Sequence, residues 1–146
     1  MLDLCCGVGI STLALRDAFP DAETVVGVDT SSQMISMAQF LSRHMKPLVL
    51  FFSHGANRMA RVAATTFTRG NAESTPFPCQ SFDLVTIMYA FHEAPKVGRD
   101  RILREAHRLL GPGGTLAVID ICSEYKPSKE MLAGEPYGKR NERLRK

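Results

Sequence analysis

Leu2-Asp3-Leu4-Cys5-Cys6-Gly7-Val8-Gly9-Ile10-Ser11-Thr12 decides how the rest of this 146-residue chain is read. Apolar residues lead into an acid and a glycine-rich bend follows. Leu13-Ala14-Leu15-Arg16-Asp17-Ala18-Phe19 then continues with helical patterning. The order is strand, tight loop, helix, the turn that aims backbone N–H groups at a nucleotide-like ligand from a helix N-terminus. Gly7 and Gly9 allow backbone angles, and a close approach of main chain to ligand, that a side chain would block. A dinucleotide fingerprint wants glycine three places after Gly9, but Thr12 stands there, which disfavours a nicotinamide site. A glycine-rich turn is common, so its context has to carry the assignment.

That context starts with Val25-Val26-Gly27-Val28-Asp29, a short apolar strand ending in a carboxylate 20 positions after Gly9. In nucleotide-binding α/β folds such a carboxylate accepts hydrogen bonds from ribose hydroxyls. Between the two strands a helix from Ser11 to Phe19 is broken by Pro20-Asp21. After Asp29, Ser31 or Ser32 is a good N-cap for a helix running through Met34, Ile35, Met37, Ala38 and Leu41. Residues 44–64 read as a helical insertion, with Leu48, Phe52, Met59, Val62 and Ala63 at helical spacing; it is either a helix covering the sheet edge, the plainer reading, or a lid or partner-binding helix. Thr65 to Arg69 is the third strand, and Phe82 to Met88, nearly all apolar, is a fourth, central one.

A further helix is expected to bury Ile102, Leu103, Ala106, Leu109 and Leu110. Arg101, Arg104, Glu105 and Arg108 then face solvent, and Gly111-Pro112 ends the helix. Thr115 to Ile121 is the fifth strand. Strands alternating with helices at this spacing imply right-handed crossovers. The expectation is an α/β, Rossmann-like, doubly wound and mostly parallel sheet with helices on both faces. Residues 1–122 form this core and 123–146 a poorly structured basic tail.

Composition narrows the function. Hydrophobic residues make up 45% and charged residues 23%, ordinary values for a globular domain. Net charge is +3, but residues 139–146 alone hold five bases and one acid, which leaves the body close to neutral. That argues against a nucleic-acid-binding face. No apolar run approaches the ~20 residues of a membrane span, and no signal peptide is evident. Cytoplasm is the default location, with an organelle the alternative if a further segment precedes this sequence. Cys5, Cys6, Cys79 and Cys122 lack metal-site spacing, and His44 and His54 have no carboxylate partner nearby, so no metal is expected.

Three later blocks complete the pattern: Gly70-Asn71-Ala72-Glu73, Ser81 to Met88, and Leu109-Leu110-Gly111-Pro112-Gly113-Gly114-Thr115-Leu116-Ala117-Val118-Ile119-Asp120. With the opening, and in this order over roughly residues 1–121, they resemble the class I S-adenosylmethionine-dependent methyltransferases. Within these the chain is similar to the group of the ubiquinone and menaquinone methyltransferases. The resemblance implies S-adenosylmethionine as cofactor and a small-molecule methyl acceptor. It implies that Asp29, with Thr30 beside it, holds the ribose, and that Asp3 organises the glycine loop near the cofactor's amino-acid end. Gly7 and Gly9 shape that loop, and Cys5 and Cys6 offer backbone contacts. Asn71 stands where many relatives carry aspartate toward adenine, with Ala72 adjacent; Met34 packs on adenine or in the core. Met88 and Tyr89 end the fourth strand at the ligand crevice. Beyond them His92 is either a general base or a structural, substrate-orienting histidine, and Glu93 reads as a loop carboxylate.

Family members begin their first strand earlier and close the sheet with an antiparallel pair of strands. This sequence therefore reads as truncated at both ends, with those last strands missing and self-association through the exposed sheet edge expected. Two other classes stay open: a non-catalytic cofactor-binding or regulatory module on a degenerate fold, and a nicotinamide-dependent oxidoreductase, which Thr12 and Gly111-Pro112-Gly113-Gly114 disfavour.

Overall fold

The computed structural model of the protein describes residues 1–45 and 63–122. Five parallel strands form one sheet in the order β3-β2-β1-β4-β5. They are β1 (Leu2–Leu4), β2 (Thr24–Asp29), β3 (Ala64–Arg69), β4 (Phe82–Met88) and β5 (Leu110–Ile119). The helices are α1 (Ile10–Ala18), α2 (Ser32–His44) and α3 (Lys96–Leu109). The strand order reverses between β1 and β4, so this is a doubly wound, Rossmann-like α/β sheet, as expected from the sequence. The helix expected within 44–64 lies outside the described residues except at its ends, where His44 closes α2 and Ala64 opens β3. The tail and any closing strands also lie outside them.

β1 is only three residues long, yet it pairs with β2 on one side and β4 on the other. Its alternation divides the interior. Leu2 and Leu4, both wholly buried, join Val28, Val85 and Ile87 against Ile102, Ala106 and Leu109 of α3. Asp3 points to the opposite face, where α1 and α2 pack through Leu13, Ile35 and Ala38 around Phe67 and Cys6. Fully burying side chains like these contributes roughly 1.5–3 kcal/mol each. Phe67 sits opposite Gly27 in the β2–β3 register, and a Cβ on Gly27 would lie 2.7 Å from its ring. That glycine lets the ring lie across the sheet.

Two expectations are corrected here. β5 begins at Leu110, directly after α3, and ends at Ile119; it does not run from Thr115 to Ile121. Leu110 pairs with Phe82 and Thr115 with Leu84, so the Gly111–Gly114 stretch is looped out as an irregularity within the ladder. On α3, Leu103 is exposed and Glu105 is buried, the reverse of the expected faces. Glu105 Oε1 accepts from the Thr75 backbone N–H (2.7 Å), the Thr75 hydroxyl (2.6 Å) and Arg108 Nη2 (2.6 Å), while Arg108 Nε donates to Oε2 (2.8 Å). A carboxylate so fully satisfied can sit in an apolar face, and it ties the loop after β3 to α3.

Candidate functional site

The C-terminal ends of β1, β2 and β4 surround a cleft of about 480 Å³ at the point where strand order reverses, the usual ligand position in such sheets. Two residues in its wall, Cys5 (φ 61°) and Tyr89 (φ 55°), hold left-handed backbone conformations directly after β1 and β4. Such strain costs on the order of 1–3 kcal/mol per residue and clusters at functional sites. It turns the chain sharply away from the sheet and leaves Tyr89 63% exposed.

The glycine loop forms one wall. Gly7 (φ 53°) lines the cleft, and a Cβ there would meet nothing within 4 Å. The missing side chain leaves room for a ligand against the main chain. Gly9 does a different job and is a correction to its expected ligand role. It is the left-handed residue preceding α1, where a Cβ would fall 2.5 Å from Phe67 and 2.9 Å from Ala38. Gly9 lets α1 and α2 close on the sheet and does not line the cleft.

Asp29 stands at the cleft with Thr30, Ser31 and Met34. Its Oδ2 accepts from the Gly7 backbone N–H and its Oδ1 from that of Ser31, each at 2.9 Å. One carboxylate thereby fixes the glycine loop and the start of α2, where the Ser31 hydroxyl accepts from Met34 N–H at 3.3 Å. Met34 is 43% exposed at the cleft, not packed in the core. Ala72 lines the cleft beside Gly70.

Three more expected contacts are corrected, those of Asp3, Asn71 and Met88. Asp3 is wholly buried and accepts from the hydroxyls of Ser11 (2.6 Å), Thr12 (2.6 Å) and Thr86 (2.8 Å). Burial holds its carboxyl above the ordinary value despite those donors. Asp3 braces β1 against α1 and β4, and its side chain is closed to any ligand in the cleft. Cys6 is buried in the α1–α2 cluster, and burial pushes its thiol up to about 12; the Cys5 thiol, at the cleft, is pushed to about 11, again mainly by burial. Neither is a nucleophile near neutral pH. Asn71 does not line the cleft; its Oδ1 accepts from Glu73 N–H at 2.9 Å and stabilises a local turn. Met88 packs with Leu15, Val25 and Ala63 on the α1 face, because β-strand alternation directs it away from Tyr89.

On the far side Ala90, Glu93 and Ala94 complete the cleft. His92 lies just behind this rim. Its Nδ1 is 2.7 Å from Asp120 Oδ1 and its Nε2 is 3.8 Å from Glu93 Oε1. Asp120 Oδ2 accepts from the backbone N–H groups of Phe91 (2.6 Å) and His92 (3.2 Å), and Oδ1 also accepts from Ile121 N–H (2.6 Å). Burial pushes this carboxyl up, but the four donors outweigh it and hold it below the ordinary value. Sequence reading missed Asp120 and the cleft positions of Ser31, Gly70, Ala90, Glu93 and Ala94. Asp120 mirrors Asp29 as an acid at a strand's C-terminal end, and that position was its available signal.

The methyltransferase domain family's model matches residues 1–114. The chain belongs to that family. It is 29% identical over 127 residues to the 2-phytyl-1,4-naphtoquinone methyltransferase of Synechococcus elongatus, an alignment covering 87% of this chain and 48% of that protein. Among solved structures, an S-adenosylmethionine-dependent methyltransferase from Methanosarcina mazei superposes with a TM-score of 0.64 at 27% identity, covering 80% of this chain and 50% of that one. A (4+2)-cyclase superposes with a TM-score of 0.58 at 32% identity, covering 80% of this chain and 36% of that one. The chain thus spans about half the length of the curated relative it matches. Among the described residues no helix is long and apolar enough to cross a membrane.

Proposed function

We propose that the cleft binds S-adenosylmethionine and that the protein transfers its methyl group to a small-molecule acceptor. The observation that carries this is the joint placement of Gly7 and Asp29. An open backbone position and a carboxylate meet at the strand-order reversal, joined by a 2.9 Å hydrogen bond. The residues present fit the cofactor. The charged side chains in the described wall are Asp29 and Glu93, both acidic, which suits a ligand carrying a sulfonium and an ammonium group. Asp29 would hold the ribose, Met34 and Ala72 would flank the adenine, and the Gly7 loop would receive the amino-acid end. When bound, the cofactor supplies an already electrophilic methyl group, so the protein's task is orientation and handling of the acceptor's proton.

Tyr89, Glu93 and the neighbouring His92 stand on the acceptor side. His92 would take a proton from a hydroxyl or another weakly acidic group. The naphtoquinone methyltransferase relative supports a reduced quinone, a hydroquinone, as the acceptor class. Such a ring is made nucleophilic by loss of a phenolic proton. A second reading is favoured by the cyclase likeness: the fold holds ligand in this cleft without methyl transfer.

The test is calorimetric titration with S-adenosylhomocysteine, followed by mass analysis after incubation with S-adenosylmethionine and a 1,4-naphthohydroquinone. Binding with methylated product is expected. Binding without product, across hydroquinones, phenols and amines, would favour the second reading; absence of binding would remove both.

A further inference from the structure

Asp120 carries more than a turn. An ionised carboxylate has no proton to donate, and its neighbours Phe91, His92 and Ile121 present backbone N–H groups that can only donate to it. Oδ1 also lies 2.7 Å from His92 Nδ1. That distance is satisfied only if Nδ1 bears a hydrogen, since a bare ring nitrogen there would face a carboxylate lone pair. In the neutral ring, the lone pair is then on Nε2. Nε2 lies 3.8 Å from the carboxylate of Glu93, which lines the cleft, so the basic nitrogen sits at the cleft rim.

We infer that Asp120 is a positioning residue that fixes His92 as the Nδ1–H tautomer and presents Nε2 as the proton acceptor for the bound acceptor molecule. The inference deepens the proposed methyl transfer and rests on it for its chemical purpose. In the proton step, the acceptor's O–H or N–H bond breaks, its electron pair stays on the acceptor, and a new N–H bond forms at Nε2. The resulting imidazolium lies against the Asp120 carboxylate, which stabilises the charge without taking the proton. His92 remains open to solvent, its side chain 27% exposed, so the proton can leave after each cycle. One carboxylate also holds the backbone N–H groups of Phe91 and His92. It therefore sets where the ring is as well as which nitrogen is bare.

The experiment is ¹⁵N NMR of the histidine rings of the full chain, at a pH where the ring is neutral, for the parent and Asp120→Asn. In the parent, His92 should show a protonated Nδ1 and a bare Nε2. In Asp120→Asn, whose amide brings N–H donors to the same place, the tautomers should mix or reverse. With a 1,4-naphthohydroquinone acceptor, kcat of that variant should fall about 10- to 100-fold, with KM and S-adenosylhomocysteine affinity within about 2-fold of the parent. A parent ring protonated mainly at Nε2 would overturn the inference, as would a variant with an unchanged tautomer and kcat. If Asp120→Asn does not fold, the parent spectrum still decides. The spectrum needs no substrate, so it separates failure of the dyad from failure of the proposed reaction, which absent S-adenosylhomocysteine binding would show.

Discussion

Asp29, in the cleft wall, and Asp120, behind the far rim, occupy corresponding places in the sheet, each at the C-terminal end of a parallel strand and each accepting from backbone N–H groups. Asp29 joins its own strand's turn to the glycine loop at the cleft wall, and among the described residues no basic side chain is bonded to its oxygens. Asp120 reaches back across the sheet to the turn after β4 and spends one oxygen partly on an imidazole. On the proposed function the first wall is a binding surface made of backbone and the second a relay made of side chains. A binding wall needs shape and fixed dipoles. A wall that handles protons needs a group that can change protonation and a second group to orient it.

If this division is right, damage beneath the walls should have the largest effect. Asp3→Ala would take the acceptor from the buried hydroxyls of Thr12 and Thr86 and from the half-buried one of Ser11, leaving Thr86 only a 3.4 Å contact to the Leu2 carbonyl. At ~1–3 kcal/mol for each unsatisfied group, the loss should be about 3 kcal/mol or more, a large share of a typical 5–15 kcal/mol stability. Asp3→Asn should lose much less, because its carbonyl oxygen can still accept from Ser11 and Thr12 and the change removes a charge that burial disfavours; only the acceptor for Thr86 is given up. Denaturant unfolding of both variants measures the contrast; an Asp3→Ala protein as stable as the parent would show that Asp3 does not brace the two walls.

Next in size is a crossed pair of substitutions. Asp29→Ala should weaken S-adenosylhomocysteine binding about 100-fold or more, since two charge-assisted hydrogen bonds are worth ~1.5–3 kcal/mol each. His92→Ala should leave that affinity unchanged and lower turnover about 100-fold. Titration calorimetry and product formation, run on both variants, sharpen the comparison. Equal loss of binding in both would erase the distinction between the walls.

The smallest effect concerns acid stability. Hydrogen bonds from Arg108, then those from Thr75, outweigh burial and hold the Glu105 carboxyl at about 2. A folded pKa below the unfolded value contributes stability that is present above about pH 4.5 and lost as pH falls toward about 2. At ~1.4 kcal/mol per pKa unit, the contribution is at most about 3 kcal/mol. Glu105→Gln should therefore flatten the stability profile over that interval, read from unfolding midpoints at several pH values. An unchanged slope would mean the clasp on Thr75 does not hold the loop carrying Ala72.

Much of the binding wall was legible in the chain because its parts are local. Gly7, Asp29, Thr30 and the Ser31 cap fall within short segments whose patterning announces strand, turn and helix, and the order of those segments implied the doubly wound sheet. Tertiary structure alone decided which neighbours share a job. Asp3 and Asp29 look alike as acids in or ending apolar strands, and the register puts them on the same face of the sheet; Asp3, in mid-strand opposite Gly27, is shut into the interior against three hydroxyls, while Asp29, two residues beyond Gly27 at its strand's end, reaches the cleft. Gly9 and Met88 went to packing because Phe67 and the α1 face were close in space, not in sequence. Glu105 was buried where helical periodicity put it in solvent, since Thr75, 30 residues away, supplied its donors. The His92–Asp120 pair spans 28 residues and exists only because β4 and β5 are adjacent in register. Periodicity reports which way a side chain faces along its own element. It carries no information about which partner a parallel crossover brings opposite it, and the pairing of His92 with Asp120 is built from such partners.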